Sequence, residues 1–432
     1  MIEAMTTHSV FRVGHGRTTR PASRAYTWLA MLLAACDGGG SEAARAQHAE
    51  RVILTATKAA GVPLHPSERS QELSGRLPDG TEVEVLRRGE SGWLEVRSAD
   101  GARGWITPRY VEGQARERVA PLDAWTSREA CLARLGERAP RDHSRARLAT
   151  WNLRWFPDGS SSGSSETPTD LEWVACLVAT LRVDALAVQE IVLHERGRAA
   201  IAALLTLLDR HAGGSWRAIF DECPRDGRQH VGWLIDEARI EVLETRQIDA
   251  LNSRGGCAQL LRPGSALRLR FGAGLDLWGI SLHLDSGQEA RDHAHRQASF
   301  TALVHASRAL AQEGDPDVLA LGDLNTMGCA RCASPISAEA ELAALDATLA
   351  PSLTRVPPDA ACTELYRGRG ALLDHAIASR SMRELPRGAR VEVHGPCAQH
   401  RCQLPRGVHP PMLDHLSDHC PLVIELDAAD LD

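Results

Sequence analysis

The 432-residue chain has no surplus of basic charge: 49 Lys and Arg stand against 56 Asp and Glu, a formal net charge of -7. A global positive field is excluded, so a polyanion would have to be held by a local patch or through a metal ion. Internal repeats are absent, and low complexity is confined to the Gly159–Ser165 loop, which rules out a solenoid and a disordered chain. No apolar run is long enough to span a bilayer, and no long apolar loop of the kind that enters one is present. What remains is an ordinary globular composition, 43% hydrophobic and 24% charged, sufficient for a sizeable core. The length asks for two or three domains.

The N-terminus carries a different signal. Arg17, Arg20 and Arg24 precede the short apolar run Ala25–Ala35, which ends in small residues before Cys36. A basic region, a short apolar stretch and a small-residue break describe a secretory signal. Leu33-Ala-Ala-Cys36 resembles a bacterial lipobox, which implies lipidation of Cys36 and an extracytoplasmic protein anchored to a bacterial membrane, at the periplasm or cell surface. Residues 1–36 are thus read as a signal peptide and 37–50 as a tether. Cys36 aside, ten of the eleven cysteines remain. In an oxidising compartment an even number favours disulfides, with pairing open. The alternatives are a zinc site built from Cys329 and Cys332, or from Cys397 and Cys402 with His394 and His400, and plain buried thiols at Cys176 and Cys420.

Short alternating segments at Thr81–Leu86, Trp93–Arg97 and Gly104–Thr107, separated by Gly-rich turns, predict a small β-barrel over 51–113. Gly92-Trp-Leu-Glu-Val-Arg97 and Gly104-Trp-Ile-Thr-Pro-Arg-Tyr-Val111 resemble the bacterial SH3 family, which implies a cell-wall peptide or another ligand as partner. Trp93, Trp105 and Tyr110 read as barrel core before they read as a ligand platform. Residues 114–144, with a helical stretch near Ser127–Leu135, read as a connector.

Over 145–428 strands and helices alternate. Strands are expected at Arg147–Asn152, Ala185–Val188, Val231–Ile235, Ala266–Phe271, Leu277–Leu282, Val318–Leu321, Leu372–Ala378 and Leu422–Leu426. Thr169-Asp-Leu-Glu172 reads as a capping box opening one helix, and a second helix is expected from about Gln288 to Gln312. The chemistry-bearing residues fall at strand ends. Glu190 closes an apolar strand, where a carboxylate unpaired and buried would be costly, so it is either solvated or a ligand for a hard cation. Asn152 alone would be a turn residue and His283 alone a structural histidine. In Gly322-Asp-Leu-Asn325 an acid and an amide share one face; the acid can orient water and the amide can donate to a phosphate oxygen. Asp374-His375 and Asp418-His419 each set an acid beside an imidazole, but neighbours in an extended chain point apart, so Asp374 paired with His419 is the better expectation.

In this order, Thr-Trp-Asn152, Val-Gln-Glu190, Leu-His283-Leu, Gly-Asp323-Leu-Asn325, Leu-Asp374-His and Ser-Asp418-His419-Cys-Pro421 closely resemble the endonuclease/exonuclease/phosphatase family. The resemblance implies an α+β fold: a four-layer α/β-sandwich of two mixed sheets flanked by helices, deoxyribonuclease I-like, here preceded by the SH3-like barrel. It also implies a metal-dependent phosphodiesterase, with Asn152, Glu190 and Asp418 around Mg²⁺ or Mn²⁺. Asp323 would orient or deprotonate the attacking water, Asn325 and His283 would contact the phosphate, and Asp374 would orient His419. One departure concerns His283: where some family nucleases carry a partnering Glu, this chain offers Gln229 and His230. The leading expectation is an extracytoplasmic nuclease with nucleic acid as substrate. The alternatives are a sphingomyelinase-like phospholipid or phosphoinositide esterase and a catalytically inactive cell-wall-binding lipoprotein.

Overall fold

The computed structural model describes residues 51–431 except 55–60, 71, 79, 90–92, 108–122, 139, 161–166, 225–226 and 258–260; the stretches read as a signal peptide and a tether, Cys36 and Tyr110 lie outside the described residues. The chain divides into two compact units, Met1–Arg116 and Glu117–Asp432.

In the first unit β1 (Arg51–Ile53), β4 (Glu82–Arg88), β5 (Leu94–Ser98) and β6 (Arg103–Ile106) form one antiparallel sheet in that order, and β2 (Val62–Leu64) pairs with β3 (Gly75–Leu77) as a hairpin. A bridge between His65 and Trp105 joins the two pieces. Alternate residues Val83, Leu94, Val96 and Ile106 point inward onto Leu54, Val62, Leu64 and Leu77. Trp105 is buried with the Arg87 guanidinium over its ring, whereas Trp93 is half-exposed against His65. The core reading therefore holds for Trp105 and only partly for Trp93.

The second unit opens with α1 (Arg128–Arg134), β7 (Arg145–Phe156), α2 (Leu171–Leu181), β8 (Ala185–Val192), α3 (Glu195–His211), β9 (Trp216–Phe220) and β10 (Gln229–Asp236). There follow β11 (Ile240–Ile248), β12 (Gly264–Phe271), β13 (Asp276–His283), α4 (Ala290–Gln312), β14 (Val318–Asp323), α5 (Ala338–Leu349) and β15 (Leu353–Val356). The chain ends with β16 (Glu364–Tyr366), β17 (Arg369–Ala371), β18 (Asp374–Ser379), β19 (Glu392–Val393), α6 (Pro396–Gln399), α7 (Met412–His415) and β20 (Leu422–Asp427).

Two six-stranded mixed sheets result, ordered β19-β20-β7-β8-β10-β9 and β11-β12-β13-β14-β18-β15. Each holds one parallel pair, β7 with β8 and β13 with β14, and each such pair is joined by a helix, α2 or α4, because parallel neighbours need a crossover. Leu148, Ala187, Trp233 and Ile424 of one sheet pack against Leu267, Leu277, Leu319 and Ala376 of the other. Gly279 lets the sheets meet there, since a Cβ would come within 3.0 Å of the Trp233 ring. Helices α1 to α3 cover the outer face of the first sheet and α4 and α5 that of the second. This is the four-layer α+β sandwich, and strands buried on both faces explain why the central ones read as unbroken apolar runs.

The local differences have physical causes. Helix α2 is capped by Asp170, whose carboxylate accepts the Trp173 N–H, and not by Thr169, whose own N–H is taken by Pro157 O. The stretch read as a connector contains α1, which packs into the core of the second unit: Ala124, Trp125 and Cys131 are buried there and Ala124 O accepts the Trp173 indole N–H. All ten cysteines beyond Cys36 pair, as Cys131–Cys176, Cys223–Cys257, Cys329–Cys332, Cys362–Cys402 and Cys397–Cys420. That removes both zinc readings and the buried-thiol reading of Cys176 and Cys420, because a sulfur in a disulfide is no thiolate ligand.

Candidate active site

The strand ends of the two sheets converge. His283 and Asp323 close the parallel pair β13 and β14 in register with each other, and Asp323 lies opposite Asp374 on β18. Gly322 makes the approach possible: its φ is +156°, and a Cβ would meet Leu282 O at 2.0 Å. In the other sheet, β7 breaks register after Asn152, with Arg154 and Trp155 at positive φ, and Glu190 on β8 also sits at φ 63°. Non-glycine residues in this region are held there at a cost, which the local hydrogen bonds offset. Trp155 N–H donates to Glu190 Oε2 at 3.0 Å and Arg154 N–H to Asn152 Oδ1 at 3.0 Å.

Asn152 ties the sheets together: its buried amide Nδ2 donates to Glu190 Oε1 at 3.1 Å and to Asp323 Oδ2 at 3.0 Å. Ser417 Oγ donates to Asn152 O at 2.7 Å and accepts the His419 N–H, fixing the turn before β20 on β7. His419 then reaches across, its Nδ1 2.9 Å from Asp374 Oδ2, so the cross-pairing expected from the sequence is present. Its Nε2 faces Asp323 Oδ2 at 3.8 Å and Glu364 Oε1 at 3.9 Å. His375 points elsewhere, onto Thr326 Oγ1 at 2.9 Å. His283 Nε2 lies 3.4 Å from Asp323 Oδ2 and 4.0 Å from Glu190 Oε1, while its buried Nδ1 has no partner among the described residues. Of Gln229 and His230, which open β10, His230 is held by Asp221 at 3.0 Å.

Glu190, His283, Asp323, Asn325, Asp418 and His419 line one cleft of about 1160 Å³, and Asn152 and Asp374 stand directly behind it. All eight expected residues are thus brought together. Glu364, on the short strand β16, was missed: it follows Cys362-Thr363 in a segment with no apolar run to mark a strand. Trp155 and Arg331 also line the cleft.

The electrostatics follow from crowding. Burial raises the Asp323 carboxyl to about 8, against the pull of His419, with Asp374 adding to the rise. Glu364 is raised to about 7 by burial and by Asp418, Asp374 and Glu190 around it, again against His419. Burial alone would depress His419, but Asp374, Asp323 and Asp418 hold it well above its ordinary value, so it is an imidazolium. Burial, then Arg262 and His419, push His283 well below its ordinary value, so it is neutral. Asp323, Asp374 and His419 place ligand atoms within 4.8 Å of one another. Asp374 and His419 are already bonded to each other, and around them Glu190, Asp323, Glu364 and Asp418 are carboxylates that line the cleft.

The class defined by fold and site is a four-layer α+β sandwich with an acid–imidazole cluster at the strand ends of both sheets, attached to a small antiparallel β-unit. Residues 66–112 match the bacterial SH3 domain model. No curated protein matches the chain by sequence. Among solved structures, an endonuclease/exonuclease/phosphatase family protein from Bacteroides thetaiotaomicron is 15% identical, with a TM-score of 0.44 over 66% of this chain and 98% of that one. D. rerio TDP2 complexed with single strand DNA product is 14% identical, TM-score 0.43, over 66% and 99%. The B. thetaiotaomicron mannosyl-6-phosphatase Bt3783 is 15% identical, TM-score 0.42, over 65% and 99%.

Proposed function

We propose that this chain is a metal-dependent phosphodiesterase acting on nucleic acid outside the cytoplasm. The observation that carries the reading is the convergence of eight residues from separate sequence motifs on one cleft, with Asp374 and His419 bonded across 45 positions of sequence. Glu190, Asp323, Glu364 and Asp418 line the cleft beside His419, with Asp374 behind it, a set of carboxylate oxygens of the kind that binds hard cations. Such a set fits Mg²⁺ or Mn²⁺, which Glu190 and Asp418 would hold with Asn152 behind them. Bound there, the ion would neutralise charge on the phosphate oxygens and orient the ester.

The remaining steps belong to the side chains. Asp323, its Oδ2 held by Asn152 Nδ2 at 3.0 Å and 3.4 Å from His283 Nε2, is placed to orient a water and take its proton. As the water oxygen bonds to phosphorus, the ester P–O bond breaks and the leaving oxygen takes up a proton from solvent water. His419, charged and held by Asp374, donates from Nε2 to a phosphate oxygen. Neutral His283 does the same from Nε2, and Asn325 keeps one amide hydrogen on Leu284 O while offering the other. The pairing of every cysteine beyond Cys36 supports export to an oxidising compartment, with the lipobox as the anchor. The SH3-like unit would add a cell-wall contact.

The test is incubation of the purified protein with plasmid DNA, RNA, sphingomyelin and phosphoinositides, with and without Mg²⁺ or Mn²⁺. Nicking of plasmid that requires the ion and is lost in His419→Ala is expected, a loss of at least about 100-fold. Cleavage of lipid alone moves the assignment to a phospholipid esterase. Activity that survives His419→Ala removes the proposed site.

A further inference from the structure

The catalytic cleft does not end at Asp418. Beside it opens a second groove of about 630 Å³, and the two share Arg154, Tyr366, Arg369 and Asp418. The ridge between them is the β16–β17 hairpin, whose tip is Tyr366-Arg367-Gly368-Arg369. Arg367 and Gly368 both take positive φ, 50° and 78°, which makes the turn tight and throws the flanking side chains up onto the ridge.

This hairpin is rigidly mounted on the site. Thr363 O accepts the Cys420 N–H at 2.7 Å and Asp418 O accepts the Leu365 N–H at 2.8 Å, so its base is hydrogen-bonded to the segment that carries His419. The Cys362–Cys402 disulfide and the Arg369–Gln403 bridge fasten its far side. On this fixed support Tyr366 is 54% exposed, one of few large hydrophobic side chains so placed. The Arg367 guanidinium lies 5.1 Å over its ring. Among the described residues neither Arg367 nor Arg369 has a carboxylate partner. The groove beyond also holds Asp414, but that acid is bonded to His409 at 2.9 Å.

An exposed aromatic ring with a guanidinium over one face, a second guanidinium without a carboxylate partner and a direct path to the reacting centre are the parts of a platform for an unpaired base and its phosphate. We propose that the Tyr366–Arg369 ridge is a subsite for the nucleotide next to the scissile phosphate in a single-stranded nucleic acid. Its base stacks on Tyr366 and its phosphate is held by Arg367 and Arg369. The inference rests on the phosphodiesterase reading above and narrows it: a duplex keeps its bases stacked inside and can use the ridge only where it opens, as a supercoiled plasmid does locally.

The experiment separates the two claims. Binding of fluorescein-labelled single-stranded DNA and RNA 12-mers and of a duplex is measured by anisotropy in chelator, for the full protein and for Tyr366→Ala, Tyr366→Phe and Arg367→Ala. Tyr366→Ala is expected to weaken both single strands about tenfold or more, and Tyr366→Phe to leave them within about twofold. Arg367→Ala is expected to flatten the salt dependence. Hydrolysis of bis(p-nitrophenyl) phosphate, which carries no second phosphate, should be unchanged in Arg367→Ala, whose side chain lines only the groove beyond the ridge. Equal single-strand binding by wild type and Tyr366→Ala overturns the subsite, as does duplex bound as tightly as single strand. If bis(p-nitrophenyl) phosphate is not cleaved by the wild type with Mg²⁺ or Mn²⁺, the phosphodiesterase reading fails, while the binding comparison still decides the ridge.

Discussion

At the scale of single residues, the site separates its two kinds of histidine by surroundings alone. His419 is buried against three acids that hold it well above its ordinary value; His283 is pushed well below by burial and then by Arg262 and His419, and His375 by burial and then by Arg355. His375 is depressed to about 3 by burial and then by Arg355, and its neutral ring rests on Thr326 Oγ1. The sign of the linkage follows. The unfolded chain takes up the His375 proton near the ordinary value of 6.5, the folded chain only near 3, so this contribution to stability is fully present above 6.5 and is lost as pH falls through that interval. The urea midpoint should therefore drop between pH 7.5 and pH 5, and His375→Gln should show a smaller drop. An unchanged pH slope in the variant would refute the assignment. These residues were legible in unequal degree. Asp323, Asn325 and His419 stand beside apolar strands that announce them, and Asp374 was paired to the right histidine from strand alternation. Glu364 was not legible, because it comes to His419 only through the packing of a three-residue strand.

At the scale of elements, what holds the cleft open is a pair of helices behind it. Arg296 on α4 and Glu341 on α5 are both fully buried, and the guanidinium donates to the two carboxylate oxygens at 2.8 and 3.1 Å. The same guanidinium donates to Asp285 O, Gly287 O and Gly328 O, and Glu341 accepts the Gly328 N–H at 2.7 Å. One ion pair therefore fastens the loop after His283 and the loop after Asn325 to the second helical layer. Glu341→Gln leaves a buried guanidinium short of its countercharge and is expected to cost about 3–5 kcal/mol. In urea denaturation the double variant Arg296→Met with Glu341→Leu should lose less than either single change. A double variant that loses the sum of both would show the two residues to be independent. Helix α4 was visible in the sequence because it is long, but this role was not, since nothing local marks a charged pair 45 positions apart. The other omissions have similar origins. Strand β11 is a half-exposed edge rich in charge, and β16, β17 and β19 are two or three residues long, too short to carry a period.

At the scale of the whole molecule, the disulfides divide by the length of chain they close. Cys131–Cys176, Cys223–Cys257, Cys362–Cys402 and Cys397–Cys420 span 45, 34, 40 and 23 positions, whereas Cys329–Cys332 spans 3. A cross-link removes more freedom from the unfolded chain the longer the loop it closes, so each long bridge should contribute about 2–4 kcal/mol and the short one much less. Their placement adds a second distinction. Cys131–Cys176 fastens α1 to α2 in the outer helical layer and lines no part of the cleft, while Cys362–Cys402 anchors the hairpin beside His419. Two double serine variants test this. Replacing Cys131 and Cys176 should lower the melting temperature by several degrees and leave turnover of a small phosphodiester intact. Replacing Cys362 and Cys402 should lower both, because the strand that carries Glu364 loses its fastening. Equal melting temperatures for wild type and the Cys131/Cys176 variant would remove the stabilising role. Unimpaired turnover in the Cys362/Cys402 variant would show that hydrogen bonds from the base of the hairpin to the His419 segment are enough to hold Glu364 in place.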